Sequence, residues 1–221
     1  MSSARERVLG RVRAALADVP GDEPARWPER TGRPHADGHG AGPTLDVLAD
    51  RLADYRAVVH RVGADRLAEG VAACLERRGA SRVVAPGGAP PAWFARTTGV
   101  TVLRDSVAEP LSVAALDAVD GVVTGCAVAV AETGTIVLDT GPEQGRRAIT
   151  LVPDLHVCVV RAEQVVDGVP EAVRLLDPRR PLTWISGPSA TSDIELDRVE
   201  GVHGPRSLEV FVVERGAEPG V

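Results

Sequence analysis

The chain has 221 residues, with 25 basic and 31 acidic side chains and a net charge of −6. It contains no lysine, which excludes a Walker-type phosphate loop and the Schiff-base chemistry of pyridoxal phosphate. The acidic balance, with only two Phe, three Trp and one Tyr, argues against a nucleic-acid protein, whose footprint is basic and which stacks bases on aromatic rings.

Hydrophobic residues make up 44% of the chain, enough for a sizeable core, and the length suits one domain with an appendage. No apolar run reaches the roughly 18–20 residues of a spanning helix; the longest, from Gly121, meets Glu132 first. The start of the chain carries Arg5, Glu6 and Arg7 with no long apolar stretch behind them. It does not read as a secretory signal, and the expected location is the cytoplasm. Cys74, Cys126 and Cys158 stand far apart in apolar surroundings, with no C-x-x-C. That pattern predicts three buried thiols and no iron–sulfur cluster in this chain, since a typical cluster takes four thiolates.

In chain order, Ser3 and Glu6 fit a capping box, with Val8, Val12 and Leu16 behind it, predicting a helix over 3–17. Residues 18–43 hold ten Gly or Pro in 26 positions and read as a linker or arm. Residues 1–43 are therefore set apart from a compact domain over 44–214 and a tail over 215–221. Thr44 is placed as an N-cap, followed by the stripe Leu45, Leu48, Leu52 and Tyr55. Alternation follows: a strand over 58–62, a helix over 64–78 stopped by Gly79, a strand over 82–85, a short helix over 91–97, a strand over 100–103 and a short helix over 112–118. The most apolar part carries strands over 121–124, 127–131 and 135–138, with Thr133-Gly134 as a turn. Strands over 157–160, 182–185 and 208–213 complete the set. The pattern predicts an α/β fold with a mainly parallel sheet flanked by helices, and the 127–138 hairpin suggests a mixed sheet.

Four segments can carry chemistry. Glu132 lies between two apolar strands: shielded from water it can serve as acid, base or nucleophile, and at a solvated hairpin tip it does none of these. Arg146-Arg147 follows the Gly141–Gly145 loop, either as a bidentate clamp for a carboxylate or phosphate or as a solvated face. The run from Ser186 to Glu195 follows a strand and contains a capping box at Ser192 and Glu195. It is an anion site built with Ser189 and Thr191, or a plain helix start. His203, between glycine-rich neighbours, is a loop residue or a ligand and proton carrier. His156 reads as a core or strand-end histidine. The spacing of Asp193, Glu195 and His203 matches no standard metal set, and neither His35 nor His39 has a partner ligand.

Taken together, Ala131-Glu132-Thr133-Gly134-Thr135, the run Leu151 to Val160, Gly187-Pro188-Ser189 through Glu195, and Gly201-Val202-His203-Gly204-Pro205 resemble, in that order, the LUD-domain family and its lactate-utilization branch. The resemblance covers roughly residues 44–214. It implies a fold similar to the NagB/RpiA/CoA-transferase group and a role in bacterial oxidation of L-lactate to pyruvate. It also implies iron–sulfur subunits as partners, which carry the clusters. The candidate site residues are Glu132, as the catalytic carboxylate, with Thr133, Arg146, Arg147, Ser189, Thr191 and His203 as contacts for a small carboxylate. Two alternatives stand beside this: an acyl- or CoA-transferring enzyme using Glu132, by fold-level analogy, and a non-catalytic scaffold. The sequence is compatible with a homo-oligomer.

Overall fold

The computed structural model describes residues 4–15, 17, 44–191, 199–200 and 203–214. The Gly/Pro-rich segment 18–43, the capping box over 192–195 and the tail over 215–221 lie outside these. The chain divides into two units, residues 1–35 and 36–221. In the first, helix α1 (Ala4–Ala15) buries none of its residues.

The second unit runs α2 (Thr44–Asp54), β1 (Val58–Gly63), α3 (Leu67–Arg77), β2 (Arg82–Pro86), β3 (Thr101–Asp105), α4 (Val113–Asp117) and β4 (Gly121–Thr124). It continues with β5 (Val128–Val130), β6 (Thr135–Leu138), β7 (Leu155–Arg161), β8 (Val165–Val166), α5 (Val169–Leu175), β9 (Thr183–Ile185), β10 (Ala190–Thr191), β11 (Val199–Glu200) and β12 (Ser207–Glu214). Single 3-10 turns occupy Ala64–Arg66, Pro91–Phe94, Arg147–Thr150 and Ala162–Gln164. Thus the helix expected over 64–78 begins as a 3-10 turn, and that over 91–97 contracts to one.

The main sheet has six strands in the order β1-β12-β7-β4-β2-β3, and all five pairings are parallel. Its central strands are mainly apolar because both faces are covered, with Thr124, His156 and Glu209 as buried exceptions. On one face, Val71, Cys74 and Leu75 of α3 pack on Val123, Val157 and Phe211. On the other, Cys158, Val160, Val210 and Val212 meet Leu48 and Leu52 of α2, together with Ala129 and Ile136. Each fully buried Val or Leu contributes about 1.5–3 kcal/mol relative to exposure.

The expected hairpin forms, with Gly134 (φ +58) in its turn. It does not join the main sheet. Strand β4 is interior, flanked by β2 and β7, so the chain leaving it has no edge to pair with. β5 and β6 instead build a second sheet, β8-β5-β6-β9, parallel at β8 and antiparallel elsewhere. One face of this sheet packs towards the main sheet and α2, and Val128, Val130 and Val137 on the other meet Ala172 of α5.

Candidate functional site

A cleft of about 210 Å³ opens at the amino ends of β7 and β12. Its walls come from three segments far apart in sequence. The 3-10 turn contributes Arg147 and Thr150, the chain after β9 contributes Ser186 and Ser189, and the approach to β12 contributes His203. His156, second in β7, forms part of the floor and is 1% exposed.

The cleft is braced by its own polar groups. Ser189 N–H donates to the Pro205 carbonyl at 2.8 Å, and Ser189 Oγ accepts from His203 N–H at 3.0 Å. Arg147 donates to the His203 carbonyl at 3.0 Å and to Thr150 Oγ1 at 3.1 Å. Below them, His156 Nε2 lies 2.8 Å from Thr124 Oγ1. Gly187, at φ +96, passes so close to Tyr55 that a Cβ would stand 2.6 Å from its carbonyl oxygen. Glycine thus lets the Ser186–Ser189 segment bend over the cleft against the end of α2.

Arg147 is the chemically distinctive group. Burial lowers its pKa, so its charged form is incompletely solvated. No carboxylate among the described residues stands within ion-pair distance of it. A half-buried guanidinium with hydroxyl and imidazole groups around it is suited to a small carboxylate.

The seven residues expected to act together are divided. Arg147, Ser189 and His203 meet in the cleft. Arg146 does not join Arg147. Its guanidinium forks onto Asp105 at 2.7 and 2.8 Å, and Asp105 is 2% exposed. The reason is local: the backbone at Arg146 is extended (φ −77, ψ 151) where the 3-10 turn begins, so successive side chains diverge. The expected double-arginine clamp is therefore one structural arginine and one cleft arginine.

Thr133 reaches the cleft only indirectly. Its Oγ1 lies 2.7 Å from Thr135 Oγ1, which lies 2.8 Å from Ser186 Oγ. Glu132 is half-buried at the hairpin turn, where its N–H donates to the Asp167 carbonyl at 3.1 Å, and it does not line the cleft. Thr191 is placed by its backbone in β10, opposite Val199. Sequence reasoning missed Thr150 and His156 as cleft residues. The visible signal was a histidine inside an apolar strand, which carries no information about the cleft beside it.

Among the described residues one cluster has metal-ligand donors: His60, Cys74 and Glu209, whose ligand atoms lie within 4.8 Å of one another. Its chemistry is that of an ion-pair network. Glu209 is 1% exposed and bonds His60 Nε2 at 2.5 Å, Arg78 Nε at 2.7 Å and Arg77 at 3.5 Å. Burial would raise its pKa, but the His60 and Arg78 hydrogen bonds and charges outweigh burial and hold it at about 2. The Cys74 thiol is pushed up to about 12, by burial first and then by Glu209, which opposes the thiolate a metal needs.

All three cysteines are free and buried. Cys74 packs against one face of the main sheet and Cys126 and Cys158 against the other. Three thiols so divided do not fit an iron–sulfur cluster. No helix among the described residues is long and apolar enough to cross a membrane.

The LUD domain family matches residues 97–213. Lactate utilization protein C of Deinococcus radiodurans is 54% identical over 76% of this chain and 79% of its own length. The protein of the same name from Halalkalibacterium halodurans is 27% identical over 97% of this chain and 99% of its own. A crystal structure of a DUF162 family protein from Deinococcus radiodurans is similar at a TM-score of 0.66, with 46% identity, over 77% of this chain and 96% of that one.

Proposed function

The chain belongs to the LUD-domain family, and from that premise we propose that it serves lactate utilization as a subunit of a system oxidising L-lactate to pyruvate. The chain's part is to bind and orient a small carboxylate in the Arg147 cleft. Lactate and pyruvate each present a planar carboxylate, which a guanidinium fork can read bidentately. The oxygen on their C2, a hydroxyl in lactate and a carbonyl in pyruvate, would lie towards Ser189 and His203. The single observation that carries this reading is Arg147, half-buried in a cleft and facing no described carboxylate.

The oxidation removes two electrons and two protons from lactate, and the arrangement of thiols described above gives no cluster site. The electron carriers are assigned to iron–sulfur partner proteins. A transferase using Glu132 would need that carboxylate at a substrate cavity, and it stands at a hairpin turn away from the cleft lining.

Calorimetric titration with L-lactate and pyruvate tests the cleft. Binding is expected to be lost in Arg147→Leu and weakened in Ser189→Ala. Equal binding by wild type and Arg147→Leu would overturn the assignment.

A further inference from the structure

The Arg147 cleft lies at the amino ends of the main sheet, and the carboxyl ends carry a separate groove. The chain leaving β2 runs to β3 on one side, and the chain leaving β4 passes through the second sheet to β7 on the other. In open parallel sheets a ligand crevice lies outside the carboxyl ends of neighbouring strands whose connections depart in opposite directions. Here the segment 139–145 lies across that point. Gly88 N–H, just after β2, donates to the Pro142 carbonyl at 3.1 Å, and Gly125 N–H, just after β4, donates to the Glu143 carbonyl at 2.8 Å. Cavities of about 460 and 410 Å³ flank the segment and share Gly88, Gly141 and Pro142. Thr140 of the same segment is held at φ +63, a strained conformation for a β-branched residue.

The larger cavity is polar and balanced in charge. Asp139, Glu143, Arg161 and Arg180 line it, with Arg161 2.9 Å from Glu143 and Arg180 2.5 Å from Asp139. Two cations facing two anions give a charged ligand little net attraction. Each guanidinium nevertheless keeps further N–H donors, and each carboxylate further acceptor positions. Gln144 adds a donor. It is 7% exposed, and its Oε1 accepts from the N–H groups of Asp139 at 2.9 Å and Gly141 at 3.2 Å. Its Nε2 donates to no described residue and is open to the cavity that Gln144 lines. The smaller cavity is walled by Pro86, Val107 and Pro142, with the bare backbone of Gly87 and Gly88. Arg146 and Asp105 on its wall are spent on each other. What remains is an apolar slot that can take a flat ring.

We propose that this groove binds a ribonucleoside, free or as part of a nucleotide, with its ribose in the polar cavity and its base in the apolar slot. Vicinal hydroxyls are neutral and both donate and accept. They match walls that set carboxylate acceptors beside guanidinium and amide donors. Asp139 and Glu143 accept from the ribose hydroxyls, and Gln144 Nε2 donates to one of their oxygens. A simple anion brings no donor for the two carboxylates, and a hydrocarbon leaves the Gln144 amide unpaired. The base lies over Gly141 and Pro142, which the two cavities share. The groove is independent of the carboxylate cleft: the two sit at opposite ends of β7, whose seven residues span about 20 Å.

The test is a ligand-detected NMR titration of the full chain with adenosine, guanosine, cytidine and uridine. At least one is expected to bind, its 2′-deoxy form about tenfold more weakly, and its 5′-diphosphate with an affinity like the nucleoside's. Val107 is 90% exposed, so Val107→Arg is expected to fold as wild type does and to abolish binding by filling the slot. Gln144→Glu keeps the oxygen that the two backbone N–H groups use and is expected to weaken binding. Silence from all four nucleosides would overturn the proposal. So would equal binding of the 2′-deoxy form, binding that only the diphosphate shows, or undiminished binding by Val107→Arg or by folded Gln144→Glu. The wild-type titrations and Val107→Arg decide the matter even where Gln144→Glu fails to fold. Arg147→Leu is expected to bind the nucleoside as wild type does, and Val107→Arg to bind pyruvate as wild type does, so failure of the groove and failure of the cleft are told apart.

Discussion

Replacing Glu209 with Gln probes the most heavily charged point of the core. Glu209 stands on β12 with His60, Arg77 and Arg78 around it, and is 1% exposed. Its carboxyl is held at about 2 instead of the ordinary 4.5, which at about 1.4 kcal/mol for each tenfold corresponds to about 3 kcal/mol of stability. Because the folded value lies below the ordinary one, that stability is present in full above about pH 4.5 and drains away as pH falls towards 2. Glutamine keeps the size and loses the charge, leaving two arginines and a histidine gathered at one buried point. Arg77 and Arg78 are partly exposed and retain water, so the expected loss is about 2–3 kcal/mol. In thermal unfolding of a chain this size that is a Tm lower by roughly 4–12 °C. The assay is urea unfolding of both proteins across pH 2.5–6. Wild type is expected to lose stability below pH 4.5 with a slope that Glu209→Gln lacks. A Gln variant within about 0.5 kcal/mol of wild type, with the same pH profile, would refute the reasoning.

The two adjacent arginines should behave in opposite ways. Arg146→Ala strands the buried Asp105 carboxylate and is expected to cost about 2–4 kcal/mol in urea unfolding. Arg147→Ala is expected to change stability by less than about 1 kcal/mol, since it forms hydrogen bonds to a carbonyl and a hydroxyl but no described ion pair. Gly187→Ala places a Cβ 2.6 Å from the Tyr55 carbonyl at a positive φ. It should destabilise the protein by about 1–3 kcal/mol and weaken pyruvate binding in calorimetry by shifting the Ser186–Ser189 segment.

Periodicity exposed the main sheet because burial on both faces favours apolar residues and admits polar ones such as His156 and Glu209 only where they find partners. Leu155–Arg161 and Ser207–Glu214 show this as nearly unbroken apolar runs, and Leu67, Val71 and Leu75 mark the helix that covers them. The second sheet was half legible. The 128–138 hairpin announced itself through Thr133-Gly134, but β8 has two residues and its pairing is made across 36 positions of chain, from Val165 to Ala129. Helix α5 escaped because Val173 and Leu175 are exposed and only Ala172 is buried, so its apolar residues mark no buried face. Its one local signal was Pro170 in the first turn.

For the site, Arg147, Ser189 and His203 were each visible as residue types in turn-rich segments. What could not be read was the partner of each. Arg146 reaches back 41 positions to Asp105, and Glu209 finds Arg78 across 131. Such pairings are set by strand order, which local spacing does not encode. The position of Glu132 follows the same logic: the turn sets Gly134 against Arg51 of α2 and pairs the Glu132 N–H with the Asp167 carbonyl, and Glu132 does not line the cleft.

The most direct measurement of the central claim is growth on L-lactate as sole carbon source. The strain to use lacks this gene and any redundant lactate oxidation, and is complemented by wild type or Arg147→Leu expressed at equal, folded levels. Growth is expected to be lost on deletion, restored by wild type and left unrestored by Arg147→Leu. Normal growth of the deletion strain on L-lactate would contradict the assigned role, and full rescue by Arg147→Leu would contradict the assigned cleft.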